Sequence, residues 1–253
     1  MQISYTTEPT PGRINEDIVL AGDSWALVLD GATAPAGIAS GCIHDVAWLV
    51  RQLGVQLAQL LITTDQPLDA LLAAAIGATC RAHSETCDLT NPSSPSATAV
   101  LVRWRDKRFD YLVLADSPLI LDLGGSVQAI TDDRTAHLPD YSPLAVAHSR
   151  NTPDGFWVAS TNPDAAYHAV TGSAPTAAVC RAALLSDGAA RLVDRFGLLT
   201  WSELIDFLDT AGPSLLIEKT RAAERSETPE EAAGRRGKRH DDATAVLLRQ
   251  TKP

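Results

Sequence analysis

The 253-residue sequence predicts an α+β fold in which two mainly antiparallel sheets pack together and helices flank them. Three observations carry this. Strand-like and helix-like segments come in blocks: strands, two helices, many strands, then helices and a last strand. A parallel doubly wound sheet would alternate them. Four strand-like runs between Ala97 and Thr131 follow one another at roughly ten-residue spacing, the pattern of an antiparallel meander. Two long runs carry apolar residues at helical spacing.

In order, Gln2–Thr7 alternates in polarity and reads as a strand. Asp17–Leu20 and Trp25–Leu29 are short apolar runs, hence buried strands, with a turn at Gly22-Asp23 between them. From Ser40 to about Ile62 the period changes. Ile43, Val46, Ala47, Val50, Leu53, Leu57, Leu60 and Leu61 lie on one helical face, with Gly54 inside the pattern. Pro67 opens a second helix to about Ser84, striped by Leu68, Leu71, Leu72, Ala75 and Ile76. The segment 88–95 is a loop by composition. Ala97–Trp104, Tyr111–Ala115, Leu119–Leu123 and Val127–Thr131 are the meander strands, turning at Arg105–Lys107 and Gly124-Gly125. Residues 132–154 are polar, with a weak helical pattern around Leu144–Ala147. Phe156–Ser160 and Ala178–Leu185 read as strands, and Leu192–Phe196, Trp201–Thr210 and Ser214–Ala223 as helices. The charged stretch 224–240 reads as an exposed loop, and Ala243–Leu248 as a final strand. No internal repeat interrupts this order, so 1–253 is expected to form one domain.

An apolar share of 45% and a charged share of 21% are ordinary for a globular protein. A formal net charge of -10 argues against non-specific nucleic-acid binding, which needs a cationic surface. There is no long polybasic segment for anionic lipid. The run Ala47–Leu61, broken by Arg51 and Gln52, reads as too short to span a bilayer. Nor does the Met1–Tyr5 start look like a signal peptide. The expectation is a cytoplasmic protein with no nucleic-acid or membrane partner. Cys42, Cys80, Cys87 and Cys180 include no Cys-x-x-Cys pair, and read as small buried hydrophobes in a reducing compartment.

Acids recur at the ends of apolar runs. Asp30 follows Trp25–Leu29, Asp116 follows Tyr111–Ala115, Asp187 follows Ala182–Ser186, and Asp241-Asp242 precedes Ala243–Leu248. A carboxylate there is costly to desolvate unless it is paired or binds a cation. Glycine after Asp30 and after Asp187 lets the backbone turn tightly and brings a carbonyl close to a ligand. With Glu16-Asp17 added, the set offers oxygen donors without thiolate or imidazole partners, which favours Mg2+ or Mn2+. Two such ions can share a water, lower its pKa and clamp a phosphoryl group. An acidic protein also needs such cations to accept a phosphorylated substrate. Phosphate-binding Gly-rich loops, serine elbows and cysteine-phosphatase loops are absent from the sequence.

In this order the motifs resemble those of the type 2C, metal-dependent PPM protein phosphatases. Arg13-Ile14-Asn15-Glu16-Asp17 is similar to the opening motif, Leu29-Asp30-Gly31 to the second, and Ser96-Ala97-Thr98-Ala99 to a strand start. Ala115-Asp116-Ser117 is similar to Gly-Asp-Ser, Ser186-Asp187-Gly188 to the Ser-Asp-Gly metal motif, and Asp241-Asp242-Ala243-Thr244 to the terminal motif. The resemblance implies a four-layer α-β-β-α sandwich with two Mn2+ or Mg2+ ions at one end. It implies that Asp30 bridges the ions, that the Gly31 carbonyl is a ligand, and that Asp187 and Asp241 complete one shell. Glu16 and Asp17 would serve the other ion, and Asp116 marks a third site in bacterial members. The implied activity is hydrolysis of phosphoserine and phosphothreonine by a metal-activated water acting through Asp30, Asp187 and Asp241. A phosphorylated protein made by a Ser/Thr kinase system would be the partner.

Arg13 corresponds to the phosphate-binding arginine, although it lies three residues before Glu16 where the family has four. Ala32 stands where many eukaryotic members have histidine, and Ala115 and Pro118 replace residues of Gly-Asp-Ser-Arg. These departures motivate the alternative, a phosphatase-fold signalling or scaffold module with weakened turnover. The segment of about 132–177 falls where the family carries its flap. His240 reads as a solvated loop histidine or a proton donor, and Arg235–Arg239 as a solvated loop or a guide for phosphopeptide.

Overall fold

The computed structural model describes residues 1–32, 37–233, 235 and 238–251, with Ala233 described by its backbone alone. In chain order the elements are β1 (Gln2–Glu8), β2 (Asp17–Gly22), β3 (Trp25–Ala32), α1 (Val46–Thr63), α2 (Leu68–His83), β4 (Ser96–Ala97), β5 (Ala99–Arg105), β6 (Arg108–Leu114), β7 (Leu119–Asp122) and β8 (Val127–Ile130). There follow α3 (Pro143–Ser149), β9 (Val170–Pro175), β10 (Arg181–Leu185), α4 (Asp187–Asp194), α5 (Trp201–Ala211), α6 (Pro213–Ser226), α7 (Pro229–Ala233) and β11 (Ala243–Arg249).

One sheet runs β1-β11-β10-β7-β8; the other runs β2-β3-β5-β6-β9, with β4 beside β3. Their pairings are antiparallel. Strand periodicity divides each strand between two cores. On β3, Ala26 and Val28 face the opposite sheet and join Val100, Val102, Phe109, Leu184 and Val246. Leu27 and Leu29 point the other way, into α1 and α2, where they meet Val50, Leu53, Leu57 and Leu72. On the far side Ala183, Leu185 and Ala245 pack under Leu192, Leu204, Leu208 and Leu216 of α4, α5 and α6. The result is the expected α-β-β-α sandwich, each fully buried leucine contributing about 1.5–3 kcal/mol.

Several expectations need correction. The helix expected from Ser40 begins at Val46, capped by Asp45, whose side chain accepts from the Trp48 N–H at 2.7 Å. Ile43 therefore lies outside the helix and is exposed. The α1 run, read as too short for a bilayer, is 18 residues long and apolar enough to cross one by length and composition; here one face packs in the core. The meander does not stay in one sheet. β5 and β6 belong to one, and β7 and β8 to the other, so the chain changes sheets at Ala115–Pro118. Phe156–Ser160 forms only isolated bridges; Phe156 and Val158 instead fill a small core with Ala115 and Leu138. The expected flap of 132–177 contains β9, which extends the sheet beyond β6. Nor is 224–240 simply an exposed loop: Glu224 and Glu227 are buried and α7 lies within it. Of its basic run, Arg236 and Gly237 lie outside the described residues.

The pairings also fix where the site lies. Asp17 is in register with Asp30, and Thr98 just before β5 donates its N–H to the Asp30 carbonyl at 2.8 Å. The start of β5 meets the end of β6, and the start of β7 meets the end of β10. Because β10 and β11 are antiparallel, the end of β10 also meets the start of β11. Antiparallel pairing thus returns Asp17, Asp30, Asp116, Asp187 and Asp241 to one end of the sandwich, although they span 225 positions of sequence (241 minus 17, inclusive).

Candidate metal centre

Asp30 is the hub. Its carboxyl is held well above the usual carboxylate range by burial and then by the charges of Asp17, Asp187, Asp241 and Asp116. Its Oδ2 accepts the Asp187 backbone N–H at 3.2 Å. Asp187 opens α4 behind the Ser186 cap, so that amide belongs to a helix N-terminus, which favours a nearby anion. Crowding by protein, and then the charges of Asp241 and Asp116, raise Asp187 to about 7, against a pull from Arg191. Asp187 and Asp116 are nonetheless exposed to solvent.

Asp17 is 7% exposed, and neither of its carboxylate oxygens has a hydrogen-bond partner among the described residues. Burial lifts it to about 7. The hydroxyls of Thr244 and Ser186 oppose that rise without completing a hydrogen bond, while Asp187 and Asp242 add to it. A buried carboxylate with no donor costs several kcal/mol unless it is protonated or meets a cation. The donor set, all oxygen and mutually repelling, fits hard divalent ions.

The remaining motif positions build the frame. Asp242 accepts the N–H of Thr10 and of Glu16, both at 2.6 Å, so it ties the Arg13–Asp17 turn to the start of β11. Ser186 and Thr244 exchange bonds at 2.9 Å. Thr98 and Ser117 share a buried hydroxyl contact of 2.6 Å. At Gly31 the N–H donates to the Glu16 carbonyl at 3.2 Å; a Cβ would collide with Val46 and lie 2.6 Å from that carbonyl oxygen. A Cβ at Gly188 would overlap the Asp242 carbonyl. Both glycines are therefore needed for close approach. Ala115, which replaces a family glycine, adopts φ 64°, and its N–H donates to Asp132 at 3.0 Å. Asp116 accepts from Thr135 at 3.2 Å and is raised by burial.

Sequence reasoning missed the cations behind Asp241. Arg191, buried on α4, donates to Glu224 at 2.8 Å and to Asp241 at 3.3 Å, and also to the carbonyls of Lys238 and Arg239. Glu224 further accepts from Arg221 and contacts His240 at 2.9 Å. His240 is thus anchored rather than free. Lys238 reaches Asp241 at 3.2 Å; burial opposes its charge, yet Asp241, Glu16 and Asp187 hold its ammonium above the ordinary lysine value. Arg235 pairs with Glu227 at 2.7 Å. Arg13 lies exposed on the turn before β2, its N–H bound to the Thr10 carbonyl at 3.0 Å.

The profile of the family "Protein phosphatase 2C" matches residues 12–224. No match is found among curated proteins. Solved structures with a similar fold include the Mycobacterium tuberculosis serine/threonine phosphatase PstP/Ppp, at 19% identity and TM-score 0.62, covering 97% of each chain. The catalytic domain of PstP in complex with 2 manganese ions is 18% identical with TM-score 0.60, covering 97% of this chain and 96% of that one. Serine/threonine phosphatase Stp1 from Staphylococcus aureus is 12% identical with TM-score 0.64, covering 99% of this chain and 95% of that one.

Proposed function

The chain belongs to the protein phosphatase 2C family and is a metal-dependent protein serine/threonine phosphatase, and we propose that the carboxylates gathered at one end of its two sheets are its catalytic centre. The observation that carries this reading is Asp17, buried, donorless and facing other carboxylates. Such an arrangement is stable only with protons or cations in its midst.

Glu16, Asp17, Asp30, Asp187, Asp241 and the Gly31 carbonyl are the groups that would hold two Mn2+ or Mg2+ ions. The repulsion Asp30 receives from four other carboxylates supports its place between the two. Asp116, which feels Asp132 and Asp241, is where a third ion would bind. When bound, the ions supply an activated water and offset the charge of the phosphoryl oxygens. The chain does the rest. Asp242 holds Glu16 and Asp17 in position, and Arg191 and Lys238 fix the orientation of Asp241. Arg13, exposed on the same turn, would grip the substrate phosphate through its guanidinium fork. The substrate is a phosphoserine or phosphothreonine protein, product of a Ser/Thr kinase acting in the cytoplasm.

The test is hydrolysis of para-nitrophenyl phosphate and of phosphoserine and phosphothreonine peptides, with and without Mn2+, by wild type and Asp187→Ala. Manganese-dependent release of phosphate from the peptides, abolished by the substitution, is expected. Metal binding without turnover would replace this reading by the scaffold alternative. Faster turnover of sugar phosphates than of peptides would overturn the substrate class.

A further inference from the structure

Between Asp30 and Asp116 in the sequence, a second donor set of different chemistry forms where α1 begins and α2 ends. The loop before α1 brings Cys42, and the turn after α2 brings Cys87, to an Sγ–Sγ distance of 2.9 Å. His83, the last residue of α2, is buried beside them, and one donor atom from each of the three lies within 4.8 Å of the others. We infer that Cys42, His83 and Cys87 form a zinc site that clips the segment after β3 to the end of α2.

Two surrounding contacts suit a thiolate–imidazole site, while in the metal-free protein burial and Cys87 hold the Cys42 thiol protonated. His83 Nδ1 lies 2.7 Å from the Thr79 carbonyl, so that nitrogen carries the proton and donates it. Nε2 is left as the ring's lone-pair nitrogen, the arrangement by which metal-bound imidazoles are oriented. The Ile43 N–H points at Cys87 Sγ at 3.4 Å, a donor that stabilises sulfur as thiolate. Hydrogen bonds already hold the two segments together: the Asp88 backbone N–H donates to the Gly41 carbonyl at 2.8 Å, and the Asn91 side-chain Nδ2 donates to the Ala39 carbonyl at 3.1 Å. A further imidazole, His44, stands close by, its ring 6.0 Å from that of His83. The short spacings Cys-x-His (42, 44) and His-x3-Cys (83, 87) put donors on two separate segments, as zinc sites do. Two thiolates and a neutral imidazole balance one Zn2+; binding releases the two thiol protons to solvent. These are soft and borderline donors, so the site selects zinc where the carboxylates select manganese or magnesium.

Cobalt is the probe, because thiolate ligation gives a sulfur-to-cobalt charge-transfer band that carboxylates cannot give. Full-length protein, freed of metal and kept reduced, is titrated with Co2+. One equivalent is expected to saturate the band, one equivalent of Zn2+ to erase it, and Asp30→Asn to leave it unchanged, so the result is separate from the carboxylate centre. Cys42→Ser and Cys87→Ser should abolish it, and His83→Asn should weaken cobalt binding at least tenfold, with circular dichroism verifying that each variant is folded. A reduced wild type without the band, or a band surviving both serine substitutions, overturns the site. So does a chain that is lighter by two hydrogen atoms before reduction and shows no charge-transfer band after it, which would make the pair a disulfide.

Discussion

Replacing the buried acid Asp17 by asparagine should stabilise the metal-free protein while weakening its response to metal. Asp17 has an ordinary value of 3.8 and is raised to about 7, first by burial and then by Asp187 and Asp242. A raised acid makes the folded state the tighter proton binder. Below pH 3.8 both states are protonated and nothing is lost. From there to about 7 the unfolded chain ionises while the folded one does not, so stability falls as pH rises. Above about 7 the full penalty stands. Three units at 1.36 kcal/mol each give about 4 kcal/mol, an upper bound because Asp17 shares its repulsion with Asp187. For a domain of this size 1 kcal/mol moves Tm by about 2–4 °C. Thermal unfolding in chelator at pH 8 should therefore show Asp17→Asn melting several degrees above wild type, with a smaller gap at pH 5. With excess Mn2+ the order should reverse, since wild type gains a ligand-binding term that the variant lacks. A variant melting at or below wild type in chelator at pH 8 would refute the idea that this carboxylate is held at a cost only a cation relieves.

Three further outcomes follow from the same geometry. Manganese affinity should fall as pH drops below about 7, because Asp17 and Asp187, both raised to about 7, must lose protons to bind; isothermal titration between pH 6 and pH 8 should show the dissociation constant falling with pH and protons released. Gly188→Ala should destabilise the fold by about 2–4 kcal/mol in urea unfolding and lower activity, since its methyl overlaps the Asp242 carbonyl that frames the centre. Arg191→Met should cost about 1–3 kcal/mol, because the buried Glu224 loses one of its two arginines and keeps Arg221 and His240, and should lower manganese affinity by loosening Asp241, which Lys238 alone then holds; the Arg191→Met, Glu224→Gln double variant should recover part of the stability when compared in the same denaturant series.

The acids of the centre were legible in the sequence because the constraint on them is local. A carboxylate that ends an apolar strand and is followed by glycine loses its water unless the chain turns outward there or a cation replaces it, and Asp30 and Asp187 both show that pattern. The α-β-β-α layering was legible because α1, α2, β3 and β10 have strong apolar periodicity. What depended on partners was not. β9 is an edge strand, Val170–Pro175, largely exposed and without an apolar run, so only its pairing with β6 makes it a strand. Phe156–Ser160 has the apolar run but lacks a ladder: Phe156 and Val158 are buried against Ala115 and Leu138, while Trp157 and Ala159 join the core under α1 and α2. The roles of Arg191 and Glu224 arise from a meeting of α4 and α6 that neither segment announces alone. Cys42 and Cys87 read as inert because no Cys-x-x-Cys marks them; all four cysteines prove half-buried, and the paired spacings with His44 and His83 were the signal to follow.

The central claim is that residues from the beginning, middle and end of the chain surround a pair of hard divalent ions. Anomalous diffraction from crystals soaked in Mn2+ tests it directly. Two manganese peaks about 3.5–4 Å apart are predicted, with Asp30 touching both and with Asp17, Asp187 and Asp241 around them. Manganese absent from that end of the sandwich, or a single ion that leaves Asp30 unbound, would contradict it.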